Sequence, residues 1–176
     1  MPTIGVAVAI PEPWATQLQD YRTSVGDTMA ATIPTHITLV PPTEVTDAQF
    51  ARIEEHLTVA AGATARFPVH LRGTGTFRPI TEVVFVTLAM GISECELLAA
   101  AITAADSINR DSRFPYHPHV TVAQDVPSPA LDAVFADLAE FEARFGVASF
   151  TLFSHGGEGG DSPWRRRRDY PLGGLR

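Results

Sequence analysis

The sequence predicts an α+β fold of antiparallel sheets with helices packed against one face. Three observations carry this prediction. Short β-branched stretches alternate with longer amphipathic ones along the chain. Strands at 66–73 and 82–88, and again at 147–153 and 164–170, follow one another across a loop, as antiparallel neighbours do and parallel crossovers do not. The composition, 45% apolar and 19% charged over 176 residues, suits one buried core and points to a single domain over 1–176.

Thr3 to Ile10 is small and β-branched, a strand stopped by Pro11 and Pro13. Leu18, Tyr21 and Val25 recur at helical spacing and predict a helix from Trp14 to about Met29. His36 to Val40 is a strand closed by Pro41-Pro42. Thr46-Asp47-Ala48-Gln49 fits a capping box, and Phe50, Ile53 and Leu57 form the apolar stripe behind it. Between the strands Arg66–Gly73 and Glu82–Leu88 lies a loop from Gly73 to Pro79. Ser93, with Glu96 three residues on, predicts the cap of a helix reaching about Asn109. His119 to Ala123 is the next strand. Pro127 and Pro129 then introduce a helix to about Phe145, ended by Gly146. Val147–Phe153, a glycine-rich loop from His155 to Ser162, and a last strand from Trp164 to Tyr170 complete the series.

Charge and cysteine content narrow the function classes. All 13 basic residues are arginine, against 20 acidic ones, for a net charge of −7. That balance argues against coating long duplex DNA. The single cysteine, Cys95, excludes an internal disulfide and a cysteine-rich zinc cluster. No apolar run approaches the roughly 20 residues of a membrane helix, and Ile4 to Ile10 is too short for a signal peptide. A cytoplasmic monomer with no membrane partner is the expectation.

The informative feature is a repeat. His36-Ile37-Thr38-Leu39 recurs as His119-Val120-Thr121-Val122, nearly half the chain later. Each copy is His, apolar, Thr, apolar, on a strand that follows a proline-containing connection. Chance supplies on the order of 0.1 copies of this pattern in such a chain, so two copies imply related halves. Strand side chains alternate faces, so each His shares a face with its Thr while the apolar pair faces a core. Two related halves would bring the four polar side chains together. An unperturbed imidazole titrates at about 6.5, so one can act as base and its partner as acid near neutrality. Two threonine hydroxyls can hold the non-bridging oxygens of an anion. A phosphodiester suits this set without a metal.

At these residues the sequence resembles the two-histidine (2H) phosphoesterase superfamily, which includes 2′-5′ RNA ligases and cyclic nucleotide phosphodiesterases. Ala9-Ile10-Pro11, Gly73-Thr74-Gly75-Thr76-Phe77 and Tyr170-Pro171-Leu172 extend the likeness over most of the chain. The resemblance implies a bilobal α+β fold: two antiparallel sheets with pseudo-two-fold symmetry around a central cleft, helices outside, each lobe giving one His-x-Thr-x strand. It implies catalysis by His36 and His119, phosphate binding by Thr38 and Thr121, and no cofactor or metal. The substrates implied are 2′-5′-linked or cyclic (2′,3′ or 1″,2″) phosphodiesters of RNA ends or small nucleotides. Hydrolysis is favoured over ligation, because water at roughly 55 M competes with any hydroxyl that is not positioned. A scaffold that binds RNA or nucleotide without turnover, or a reversible 2′-5′ ligase, are the alternatives.

Four further residues are candidates for substrate contact. Phe77 and Tyr116 have faces that accept any base, although Phe77 also suits a core. Arg78 follows a loop near the strands and can pair with phosphate, and His155 opens the glycine-rich loop. Arg165 to Arg168 should split two to each face of a strand. One pair could face RNA, or the run could blunt a solvated edge. His117-Pro118-His119 could be read as metal ligands, but no zinc-site spacing accompanies it.

Overall fold

A computed structural model describes residues 1–106, 108, 115–156 and 163–173. Its strands are β1 (Thr3–Ala9), β2 (His36–Glu44), β3 (Phe67–Thr76), β4 (Val83–Met90), β5 (His119–Gln124), β6 (Glu142–Val147), β7 (Ser149–His155) and β8 (Arg165–Pro171). Its helices are α1 (Trp14–Ser24), α2 (Asp47–Ala63), α3 (Ile92–Thr103) and α4 (Ser128–Asp137). The strands form one antiparallel sheet in the order β6-β3-β4-β5-β2-β1-β7-β8. One curled eight-stranded sheet thus replaces the two expected sheets. Its centre is narrow: β2 and β5 are joined through the single pair Ile37 and Val120.

The helices and the core lie on one face. Ile4, Val6, Ile37, Leu39, Val120 and Val122 meet Leu18 of α1, Ile53 and Leu57 of α2, Leu98 and Ile102 of α3, and Leu131 and Val134 of α4 in one buried cluster. α1 packs on β5 and α3 on β2, so each bridges the central join. The capping box of α2 forms as the sequence predicts: Thr46 Oγ1 accepts from the Gln49 N–H, and Gln49 Oε1 accepts from the Thr46 N–H at 2.8 Å.

Several boundaries differ from the sequence reading. α1 ends at Ser24, because Gly26 takes φ +84° and turns the chain. A 3-10 turn over Thr28–Ala31 follows, capped by Asp27. β2 runs through Pro41 and Pro42, which fall where the ladder slips between the pairs Ile4–Thr43 and Val6–Val40. α3 starts at Ile92 and is capped by Gly91, not Ser93. Gly91 has φ +98°, and a Cβ there would meet the Val69 side chain at 2.8 Å, so both conformation and space require glycine. α3 ends at Thr103; the expected end near Asn109 lies outside the described residues. α4 ends at Asp137, and 142–147 is a strand beside β3 rather than helix. Leu138, Phe141 and Phe145 carry a helical spacing that hid the alternation of buried Ala143 and Val147. The glycine-rich segment after Gly156 is outside the described residues.

Candidate active site

The face of the sheet opposite the core carries the two motifs. With Ile37 opposite Val120, the antiparallel register sets His36 opposite Thr121 and Thr38 opposite His119. Opposite side chains in such a ladder stand about 4.5–5.5 Å apart at Cβ, and diagonal ones about 7–8 Å. His36 and His119 are the diagonal pair, with the two threonines on the other diagonal. The row extends through Thr87, paired with His119, and Ala7, paired with Thr38.

Both imidazoles are held in the same way. His36 Nδ1–H donates to the Pro34 carbonyl at 2.8 Å, and His119 Nδ1–H to the His117 carbonyl at 2.7 Å. A carbonyl only accepts, so each neutral ring carries its proton on Nδ1 and presents Nε2 as the basic nitrogen. Thr38 Oγ1 lies 3.1 Å from His36 Nε2 and can donate to it. Burial pushes both imidazoles below the ordinary histidine value. The positive charge of Arg22 and the neighbouring His119 push His36 the same way, and His117 adds to the effect on His119. The carbonyl bonds oppose these shifts without cancelling them.

The support under His36 comes from α1. Gln19 Oε1 accepts from the Thr35 N–H at 3.0 Å and from Thr35 Oγ1 at 2.8 Å, while its amide donates to the Ala30 carbonyl. Thr35 is 1% exposed. The clamp therefore fixes the residue between Pro34, which holds His36, and His36 itself. Arg22 and Asp27 form a buried ion pair at 2.8 Å, and Asp27 also caps the 3-10 turn. None of Gln19, Arg22 or Thr35 was singled out from sequence. The polarity of Gln19 and Arg22 on α1, a helix that otherwise reads as amphipathic, was the available signal.

The other candidates are placed as follows. Phe77 packs edge-on against His119, centroids 4.9 Å apart at 88°, and against Phe85 at 4.5 Å. It bounds the His119 ring. Tyr116 Oη donates to the Thr38 carbonyl at 2.8 Å, tying the approach to β5 to strand β2 beside the narrow join. Arg78 Nη1 pairs with Asp132 of α4 at 2.7 Å. His155 ends β7 and lies 5.4 Å from the Trp164 ring. Trp164, unremarked in the sequence, walls a cleft of about 400 Å³ with Gly5, Ile33, His36, Thr38 and Phe153. Gly5 was the signal: a lone glycine among β-branched residues marks a close approach. A Cβ there would touch the Trp164 ring at 3.4 Å.

The arginine run does not split two by two. A bulge between Leu152 and Phe153 pairs Arg165 with Ser154, Arg166 with Phe153 and Arg168 with Leu152, leaving Arg167 as the extra residue. Arg166 pairs with Asp169, whose Oδ1 also accepts from Thr151 at 2.7 Å. Arg168 lies over the Tyr170 ring and Arg167 over the Phe50 ring. Among the described residues no group of three His, Cys, Asp or Glu side chains could hold a metal ion. No helix there is long and apolar enough to cross a membrane.

Two related strands that pool His-x-Thr side chains on the open face of a curled sheet define a class, and the comparisons bear it out. Residues 10–159 match the family model of the 2′-5′ RNA ligase superfamily, and the chain belongs to that family. Two solved structures share its fold. Thermus thermophilus TT0787 aligns with a TM-score of 0.72 at 21% identity, over 99% of this chain and 100% of that one. Escherichia coli LigT, complexed with NADP+, aligns at 0.69 and 22%, over 97% and 96%. A Staphylococcus epidermidis protein named "Putative phosphoesterase" is 23% identical over 97% of this chain and 99% of its own length.

Proposed function

We propose that the chain is a phosphodiesterase that cleaves 2′-5′-linked or cyclic phosphodiesters of RNA ends or small nucleotides. His36 and His119 act as the acid–base pair, and Thr38 and Thr121 bind the phosphate. One observation carries the reading: two imidazoles lie diagonally on one open sheet face, each with Nδ1–H donated to the carbonyl two residues earlier, so that both Nε2 atoms are the reactive nitrogens. A phosphodiester between them meets a base on one side and, on the other, an imidazole that its negative charge helps to protonate. The neutral ring takes the proton of the attacking water, a P–O bond forms, and the opposite imidazolium protonates the departing alkoxide as its P–O bond breaks. The threonine hydroxyls donate to the non-bridging oxygens, where charge accumulates. The two motifs face each other across the β2–β5 join, in keeping with a pseudo-two-fold relation of two lobes within one domain.

Support comes from the family, from the relative named "Putative phosphoesterase", and from LigT, solved with 3′-AMP, ATP and phosphate. The test is product analysis after incubation with nucleoside 2′,3′-cyclic phosphates and 2′-5′-linked dinucleotides, with and without chelator. A chelator-resistant monophosphate product is expected. Tight binding with no product would replace this reading by the binding-only one.

A further inference from the structure

A second cleft, of about 800 Å³ and open to solvent, lies on the other side of the same sheet edge. Arg165, Arg167, Ser154, Phe50 and Asp47 line it, with Pro2 at its margin. It is distinct from the histidine cleft because strand neighbours point to opposite faces: Phe153 and Trp164 line the first cleft, Ser154 and Arg165 the second. The bulge that makes Arg167 the extra residue of β8 sends it toward α2, its guanidinium 5.7 Å from the Phe50 ring centroid. In a chain of net charge −7, this gathers two exposed guanidinium groups on one concave surface. Among the described residues neither has an ion-pair partner, whereas the neighbouring Arg166 is neutralised by Asp169.

We propose that this cleft is a second phosphate subsite, which holds a backbone phosphate of an RNA whose end occupies the histidine cleft. The inference rests on the proposed function and extends it: the substrate is an oligonucleotide end rather than a mononucleotide. Three features favour RNA phosphate. Guanidinium forks match phosphate oxygens in pairs. Ser154 adds a hydroxyl donor beside Arg165. Phe50 gives an aromatic surface next to the cations, the pairing of charge and ring that single-stranded nucleic acid uses. Trp164 borders the first cleft and its chain neighbours Pro163 and Arg165 border the second, so the two clefts adjoin at the start of β8.

The test is fluorescence anisotropy of a short labelled oligouridylate with an ordinary 3′-hydroxyl, titrated at several salt concentrations. On single strands each phosphate neutralised contributes about 0.7 to the slope of log K against log salt. The Arg165→Gln/Arg167→Gln double variant should bind more weakly, with a slope lower by about 0.7, the share of the one phosphate the subsite holds. Asp47→Asn removes the one carboxylate that lines the cleft among the described residues and should tighten binding, a gain that a misfolded variant cannot imitate. An unchanged slope in the double variant, or an oligoglutamate of equal charge that binds as tightly as the RNA, would overturn the proposal. Hydrolysis of uridine 2′,3′-cyclic phosphate by the unmodified protein reports separately on the proposed function. Absent hydrolysis with an intact shift in salt slope would sink that function and leave the anion subsite standing.

Discussion

At the scale of single residues, the free site holds two neutral imidazoles at neutral pH, because burial depresses both. Bound phosphate reverses this for one ring, since a nearby negative charge favours the imidazolium. The kcat/KM profile reports the free protein and the kcat profile the bound complex. Both should be bell-shaped, with the kcat bell displaced to higher pH; coincident bells would contradict the account. The Gln19 clamp makes a separate prediction. Gln19→Ala frees Thr35 and so loosens the Pro34 carbonyl that holds His36. A misplaced catalytic group costs up to about 10²-fold, so kcat should fall while KM changes little. The carbonyl bond raises the His36 pKa, so the limb of the profile that His36 sets should also move to lower pH. A loss of stability alone, with the profile unmoved, would make Gln19 merely structural. The four motif residues were legible because their pattern is duplicated. Gln19 and Trp164 were not, because each acts through a partner distant in sequence, and a single copy of a polar or aromatic residue carries no periodic signal.

Among the elements, local chemistry was legible where it is local. The α2 capping box forms with both of its hydrogen bonds. Thr46→Ala should cost about 1 kcal/mol, lowering Tm by about 2–4 °C in a chain of this size with kcat unchanged; thermal unfolding beside a rate assay checks both. Tertiary context decided the rest. The spacing of Phe141 and Phe145 continues that of α4 and predicts helix, yet β3 offers a free edge that captures Glu142–Val147 through a full ladder. His70 of β3 and Glu142 of β6 reinforce that pairing at 2.6 Å. The sequence predicts that Pro41 and Pro42 end β2, but the register slip against β1 accommodates them. The split of the arginine run failed for the same reason: a bulge is invisible to a period-two count.

For the whole molecule, one curled sheet serves two ends. One face, with all four helices, is core; the other is left for chemistry. The net charge of −7 then bears on substrate capture rather than against nucleic acid, since a site built from two His and two Thr needs no global positive field. The half-buried imidazoles of His36 and His119 also tie stability to pH. Their folded pKa values lie below the unfolded value of about 6.5, so the unfolded chain takes up protons first as pH falls. Their contribution to stability is complete above about pH 6.5 and is lost as pH drops through the folded values. Tm should therefore decline between neutral and mildly acidic pH, and a His36→Gln/His119→Gln double variant should flatten the decline. An equally steep decline in that variant would place the sensitivity elsewhere.

The central claim is that His36 and His119 perform the chemistry together. The most direct measurement is the single-turnover rate of His36→Ala and His119→Ala, each folded, on a nucleoside 2′,3′-cyclic phosphate hydrolysed by the unmodified protein. Each variant should lose on the order of 10²–10⁴-fold in rate and one limb of the pH bell. Either variant retaining full rate, or keeping both limbs, would contradict it.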